Sequence, residues 1–352
     1  MVADRGPKKL VKGNVALAEG AVQAGLRCYF GYPITPQNEI PEYLSARLPE
    51  VGGVFLQAES ELASINMVLG AAGAGARAMT SSSSPGISLM QEGLSFLAGS
   101  QLPCLVVNVM RCGPGLGGIK PSQGDYYQAT RGGGHGDYRT IVLAPASVQE
   151  MFDCAALGFE LAEKYRNPTL ILADAVIGQM AEGACLKHEK PIVTFDKPWA
   201  VTGAKGRPPL NIRSMYLEGD IQEELNITLR DKYAQIERDE VRFKEFALDD
   251  AEIVVVAFGT AARIALSAVQ EAREQGMKVG LFRPFTLYPF PFKELRALSE
   301  RVRAFLDVEL NLGQMVDDVR MAVQPGTPVH FLGRPGGGLP SPDDILEKVK
   351  EL

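Results

Sequence analysis

The strongest constraint on the fold is a rhythm. Short, almost continuously apolar runs recur between stretches of helical periodicity through the first half of the chain. The runs cover residues 28–32, 54–57, 77–81, 104–110, 140–143 and 169–173. A strand that is apolar at nearly every position, rather than at alternate ones, is buried on both faces, as in a parallel sheet covered by helices. Between the runs, residues 14–24, 36–47, 59–70, 87–98 and 148–164 carry helical patterns. Pro36 and Pro41 suit the opening turn of a helix, where a missing N–H costs nothing. This alternation predicts an open, doubly wound α/β sandwich.

The rhythm breaks near residue 185. Residues 186–250 are rich in Pro, Gly and charge and include, at 237–246, the run Glu-Arg-Asp-Glu-Val-Arg-Phe-Lys-Glu-Phe. They predict an irregular connector, too long for a simple loop and so packed along the surface as an arm, followed by a solvated helix. From Ala251 the alternation resumes, with strands within 251–259, 277–284, 301–309 and 327–333 and an amphipathic helix ending at Gly276. The expected division is therefore 1–185, 186–250 and 251–352. It suits a 352-residue chain at a rough prior of about 150 residues per domain.

Composition removes several function classes. The net charge of −6 argues against a nucleic-acid footprint, which needs clustered Lys and Arg. No apolar run approaches the roughly 18 residues that span a bilayer, and the opening Met-Val-Ala-Asp-Arg-Gly-Pro-Lys-Lys lacks the apolar segment of a secretory signal. A cytoplasmic protein without membrane contact is the expectation. Five scattered Cys without a C-x-x-C pair give no iron–sulfur cluster in this chain and argue against zinc. They read instead as reduced thiols acting as small core residues. His135, alone in the glycine-rich loop 132–137, reads as a loop residue, so no metal site is expected.

Two glycine patterns fail as nucleotide sites. Residues 113–118 formally spell G-x-G-x-x-G after a strand, but Pro121 and further turn residues follow where the fingerprint needs a helix. Gly73-Ala-Gly75 comes after a helix, the wrong order, and no P-loop is present. More informative are four loops at the carboxyl ends of the first strands, where open α/β sheets bind ligands. They carry Tyr32-Pro33-Ile34-Thr35-Pro36, Gln57-Ala58-Glu59-Ser60-Glu61, the run Thr80 to Gly86, and Arg111 before Gly113-Pro114-Gly115. Each has a local explanation. Thr35 and the serines suit helix caps, Glu59 suits a helix N-terminus, and Arg111 suits a surface ion pair. Together, a hydroxyl, a carboxylate, a serine run and a guanidinium at one sheet edge favour a ligand site.

These motifs, with Arg283-Pro284-Phe285 and Glu309-Leu-Asn-Leu-Gly-Gln314, resemble the alpha subunit of thiamine-diphosphate-dependent 2-oxoacid:ferredoxin oxidoreductases over nearly the whole chain. The stretch from Gly113 to Gln123 is most similar to the 2-oxoisovalerate, or branched-chain, type. The resemblance implies a pyrimidine-binding-type doubly wound domain and a smaller α/β domain like the C-terminal domain of transketolase, expected to be purely structural. It implies that Glu59, the Glu of the Gln-x-Glu motif, bonds N1′ of the cofactor's aminopyrimidine as the catalytic carboxylate. Glu61, two residues on, is expected to point elsewhere. Thr35 and Arg111 would grip the substrate's carboxylate, and Pro33 and Ser82 would complete the cofactor contacts.

The resemblance further implies CoA-dependent oxidative decarboxylation of a 2-oxoacid to acyl-CoA and CO2 with reduction of ferredoxin. A beta subunit would hold the diphosphate and Mg2+. Gamma and ferredoxin-like delta subunits would carry the [4Fe-4S] clusters. The alternatives are a 2-oxoglutarate-type subunit or a non-catalytic scaffold of the same fold. A non-redox thiamine enzyme would need a Gly-Asp-Gly…Asn segment of its own, and this chain has Gly136-Asp137-Tyr138 instead.

Overall fold

The computed structural model describes residues 6–352; Met1 to Arg5, the start of the stretch read above for a secretory signal, lie outside the described residues. Its strands are β1 Lys9–Lys12, β2 Cys28–Gly31, β3 Val54–Gln57, β4 Ala78–Ser82, β5 Cys104–Met110, β6 Ile141–Leu143 and β7 Pro168–Asp174. They continue with β8 Ala181–Ala184, β9 Phe243–Phe246, β10 Ile253–Val256, β11 Val279–Pro284, β12 Thr286–Tyr288, β13 Ala304–Glu309 and β14 Val329–Gly333.

The larger sheet has seven strands in the order β12-β6-β7-β5-β4-β2-β3. All its pairings are parallel except β12 with β6. Its central strands β4, β5 and β7 are buried at every position, including the polar Thr80, Ser81 and Ser82 of β4 and Asn108 of β5, as strands covered on both faces are. From β2 the chain moves outward to β3, then returns to the other side of β2 for β4. The strand order therefore reverses between β2 and β4, and ligand crevices open at such a switch point.

The smaller sheet runs β14-β13-β10-β11-β9, parallel except for β9. The two sheets are knitted together. β12 leaves the C-terminal region to edge the large sheet, and β9 leaves the connector to edge the small one. One apolar core runs from Leu17 and Met79 through to Phe258, Phe282 and Phe305. A second core lies on the other face of the small sheet, under helices Gly259–Glu274 and Pro342–Lys350.

Residues 186–250 differ from their expectation in two ways. Helix Gly219–Asp239 precedes rather than contains Phe243–Phe246, which is a strand. That helix also buries Leu229, Tyr233 and Ile236, so it is docked on one side rather than solvated all round. Before it, the irregular arm is tied to the large unit. Glu163 takes a bidentate pair from Arg77 at 2.6 and 2.9 Å and a second ion pair from Lys197 at 2.6 Å. Lys197 Nζ also donates to the Gly75 carbonyl, and the Arg166 guanidinium lies over the Trp199 ring.

Candidate active site

At the switch point, hydrogen bonds lock the carboxyl ends of β2 and β4 to each other. Tyr29 Oη lies 2.8 Å from Ser81 Oγ, which donates to Gln37 Oε1 at 2.6 Å. Gln37 Nε2 in turn donates to the Tyr32 carbonyl. Tyr29, Ser81 and Gln37 are fully buried. Burial pushes the Tyr29 phenol well above its usual range, so it stays a neutral member of this network. The chain after β2 is thereby held in place where it carries Thr35.

Thr35 and Arg111 meet, but through the threonine backbone. Arg111 Nη1 donates to the Thr35 carbonyl at 3.0 Å and Nη2 to the Leu116 carbonyl at 2.9 Å. Arg111 is 8% exposed, and its Nε is buried without a partner, a donor whose desolvation is uncompensated. Thr35 Oγ1 accepts from Asn38 Nδ2, and its own O–H proton remains available to donate. Asn38, not Thr35, stands at the N-cap of helix Glu39–Glu50, so the capping explanation for Thr35 does not hold.

The two glutamates fall on opposite sides of a helix start. Ser60 is the N-cap of helix Glu61–Gly73, and its Oγ accepts from Ala63 N at 3.2 Å. The helix therefore begins at residue 61, not 59. Glu59 is left outside it and exposed, and Pro33 is exposed as well. Glu61 instead shares the inner face of the helix with Ile65, Val68 and Ala72, and only 5% of it is exposed.

At Glu61 Oε1 the carboxyl accepts from the fully buried Ser82 Oγ at 3.2 Å. A Cβ at Gly86 would lie 2.0 Å from Ser82 Oγ and 2.3 Å from Glu61 Oε1, so this pairing needs glycine there. The assignment of the site carboxylate to Glu59 thus meets a physical obstacle. A solvated carboxylate lacks the enclosure that strengthens a shared proton, and Glu61 has it.

Three residues of this edge were not singled out from the sequence. Asn108 Oδ1 accepts from Ser84 N at 3.1 Å, and Asn108 Nδ2 donates to Asp125 Oδ2 at 2.8 Å. Asp125 also accepts from Ser84 Oγ at 2.5 Å, and burial raises its carboxyl above the ordinary range while these two bonds hold it back. Gln37 is the third. A polar residue buried third from the end of an otherwise apolar strand, as Asn108 is, was the available signal. Ser83, read as a cap, makes no capping bond, and its hydroxyl is buried without a partner.

Beside Arg111 a cleft of about 390 Å³ opens between the two units. Its walls combine Ser84, Arg111 and Asp125 with Pro85, Pro114, Leu312 and Pro335. Residues 113–115 form one lip, and the next helix along the chain begins only at Tyr126, so the glycine loop does not itself open a helix.

Residues 19–245 match the family model described as pyruvate flavodoxin/ferredoxin oxidoreductase, thiamine-diphosphate-binding, and residues 251–345 match pyruvate:ferredoxin oxidoreductase core domain II. The chain belongs to the 2-oxoacid:ferredoxin oxidoreductase family. This is an oxidoreductase family whose members work as subunits of larger enzymes.

Within the family the chain is 53% identical to the ketoisovalerate oxidoreductase subunit VorB of Methanothermobacter thermautotrophicus, over 98% of this chain and 97% of the relative. It is 37% identical to the 2-oxoglutarate synthase subunit KorA of Methanocaldococcus jannaschii, over 97% and 99%. The branched-chain resemblance is thus the stronger of the two. Among solved structures, a 2-oxoglutarate:ferredoxin oxidoreductase from Magnetococcus marinus, with 2-oxoglutarate, coenzyme A and succinyl-CoA bound, superposes with a TM-score of 0.89 at 28% identity. That match covers 98% of this chain and 65% of the longer one. A split-gene transketolase superposes at 0.57 with 11% identity, a likeness of fold alone. No helix among the described residues is long and apolar enough to cross a membrane.

Proposed function

We propose that this chain is the alpha-type subunit of an oxidoreductase that decarboxylates a branched-chain 2-oxoacid, with 2-oxoisovalerate as the model substrate, to acyl-CoA and CO2 while reducing ferredoxin. The observation that carries this reading is the buried Glu61–Ser82 pair at the switch point, a short way along the same edge from Arg111.

Glu61 fits the aminopyrimidine of thiamine diphosphate. Its carboxyl is enclosed, Ser82 occupies one oxygen, and the rest of its bonding capacity is free to share a proton with a ring nitrogen. When bound, that cofactor supplies a nucleophilic carbon and an electron sink for loss of CO2. Glu61 holds and returns the proton at N1′ and Ser82 fixes the carboxyl's orientation. This moves the catalytic role from Glu59 to Glu61, while Pro33, exposed in this chain, keeps its place as a candidate cofactor contact.

Arg111 and the Thr35 hydroxyl bind the carboxylate of the 2-oxoacid. A guanidinium with a buried, unpaired Nε beside its Nη donors suits a planar carboxylate. Beyond them the cleft offers proline and leucine side chains, and among the described residues Arg111 is its one cationic wall residue. A branched aliphatic side chain is accommodated there, whereas the second carboxylate of 2-oxoglutarate finds no cation and meets Asp125. The diphosphate and Mg2+ fall to a beta subunit, and the [4Fe-4S] clusters to gamma and delta subunits.

The co-purified complex, assayed with CoA and a panel of 2-oxoacids, is expected to favour 2-oxoisovalerate over 2-oxoglutarate by about 100-fold in kcat/KM, the cost of an unpaired carboxylate in a site without a partner. A preference for 2-oxoglutarate would overturn the substrate assignment.

A further inference from the structure

The smaller unit is expected from the sequence to be structural only, yet its turn after β13 grips the segment that forms the floor of the cleft. Gln123 N donates to the Leu310 carbonyl, and the Gln123 side chain bonds both Leu310 N and the Phe258 carbonyl, all at 2.8–3.0 Å. Asn311 Nδ2 donates to the Gln123 carbonyl and Gln314 Nε2 to the Gly124 carbonyl, each at 2.8 Å. The turn is itself held from below by the fully buried Glu309. Its two oxygens accept from Asn311 Nδ2 and from the backbone N–H groups of Gln314, Met315 and Val316, at 2.8–3.1 Å.

What this clamp presents to the cleft is Asp125. Its Oδ2 lies 2.5 Å from Ser84 Oγ. The same Ser84 oxygen lies 3.1 Å from the Arg111 carbonyl and accepts from Arg111 N at 3.0 Å. A serine hydroxyl has one proton. It goes either to Asp125 or to the Arg111 carbonyl, and the Asp125 oxygen, at the shorter distance, is the stronger acceptor. Asp125 therefore sets the Ser84 rotor, and the serine lone pairs then face the Arg111 N–H. The aim of the guanidinium depends on where this stretch of backbone is held, because two of its side-chain bonds are to other backbone carbonyls.

We propose that Asp125 is a positioning residue for Arg111 that acts through Ser84, and that the smaller unit holds it in register through Asn311 and Gln314. The proposal rests on Arg111 being the carboxylate-binding group argued above. Misaligning a carboxylate grip weakens substrate binding more than it slows the later steps, so the effect falls on KM.

The test is steady-state kinetics of the assembled complex with saturating CoA and 2-oxoisovalerate as the varied substrate. If the wild-type complex uses another 2-oxoacid, that acid replaces it, so a failed substrate assignment is distinguished from a failed positioning role. Asp125→Asn and Ser84→Ala are each expected to raise KM about tenfold or more, the size of one charged hydrogen bond, with kcat nearly unchanged. The double variant is expected to be no worse than the poorer single one, because both changes break one path. Asn311→Ala, which leaves Ser84, Arg111 and Asp125 in place, is expected to raise KM in the same direction, and keeps the idea testable should Asp125→Asn fail to assemble. An unchanged KM, a loss confined to kcat, or strictly additive effects would each overturn the proposal.

Discussion

Glu61→Gln is expected to lower 2-oxoacid-dependent reduction of ferredoxin or a viologen dye by about 10²–10⁴-fold, the usual weight of a positioned acid–base group. Glu59→Gln is expected to stay near wild-type activity, and both variants should assemble normally. The contrast follows from where the helix starts. With Ser60 as N-cap, Glu61 takes the first helical position on the stripe that carries Ile65, Val68 and Ala72 into the core, and Glu59 remains in solvent. Amide substitution keeps the size of the side chain and the hydrogen bond with Ser82, so the loss reads proton handling rather than packing. If Glu59→Gln were the inactive variant, the site carboxylate would have to be sought on the exposed side of the turn.

The second large effect concerns the joint between the two units. Glu150, near the start of helix Val148–Tyr165, accepts a bidentate pair from Arg283 of β11 at 2.7 and 2.8 Å, and Lys244 of β9 adds a third bond at 2.6 Å. Arg283 is 8% exposed on its side chain and Glu150 is 14%. Glu150→Ala would strand a buried guanidinium, at a cost of about 3–5 kcal/mol in unfolding free energy. Chemical denaturation of the purified complex reads this directly.

The same pair makes stability depend on pH. Against the opposing effect of burial, Arg283 and then Lys244 hold the Glu150 carboxyl at about 2, below its ordinary 4.5. Its contribution is therefore complete above pH 4.5 and is lost as the pH falls through 2. In Glu150→Gln that acid-side loss should be smaller. An unchanged acid profile would mean that the pair does not stabilise the joint.

The chain shows which features can be read from a sequence of this type. The parallel strands of the large sheet, and the convergence of four loops on one edge, follow from short, largely apolar runs between helical stretches, a signal with little competition. The fate of Glu59 and Glu61 is legible too, although it turns on a single residue. Ser60 is a preferred N-cap, and once it is placed the helical spacing of 61, 65, 68 and 72 puts Glu61 on the inner face. Taking Glu59 as the first helical residue moves the whole stripe.

Asp125 was less accessible. It lies after a glycine-rich loop with no periodicity, and its importance comes from Asn311 and Gln314, almost 190 residues away along the chain. The same holds for β12. Its three residues follow a strand of one sheet and pair with the edge of the other, a long-range choice with no local signature.

On the proposed function, this chain supplies the carboxylate and guanidinium of a thiamine site but not the diphosphate anchor. Calorimetric titration of thiamine diphosphate with Mg2+ into the isolated chain, and into the co-purified complex, tests it most directly. Saturable binding by the complex and no measurable binding by the isolated chain at the same concentrations are expected. Tight binding by the isolated chain would contradict this division of the site.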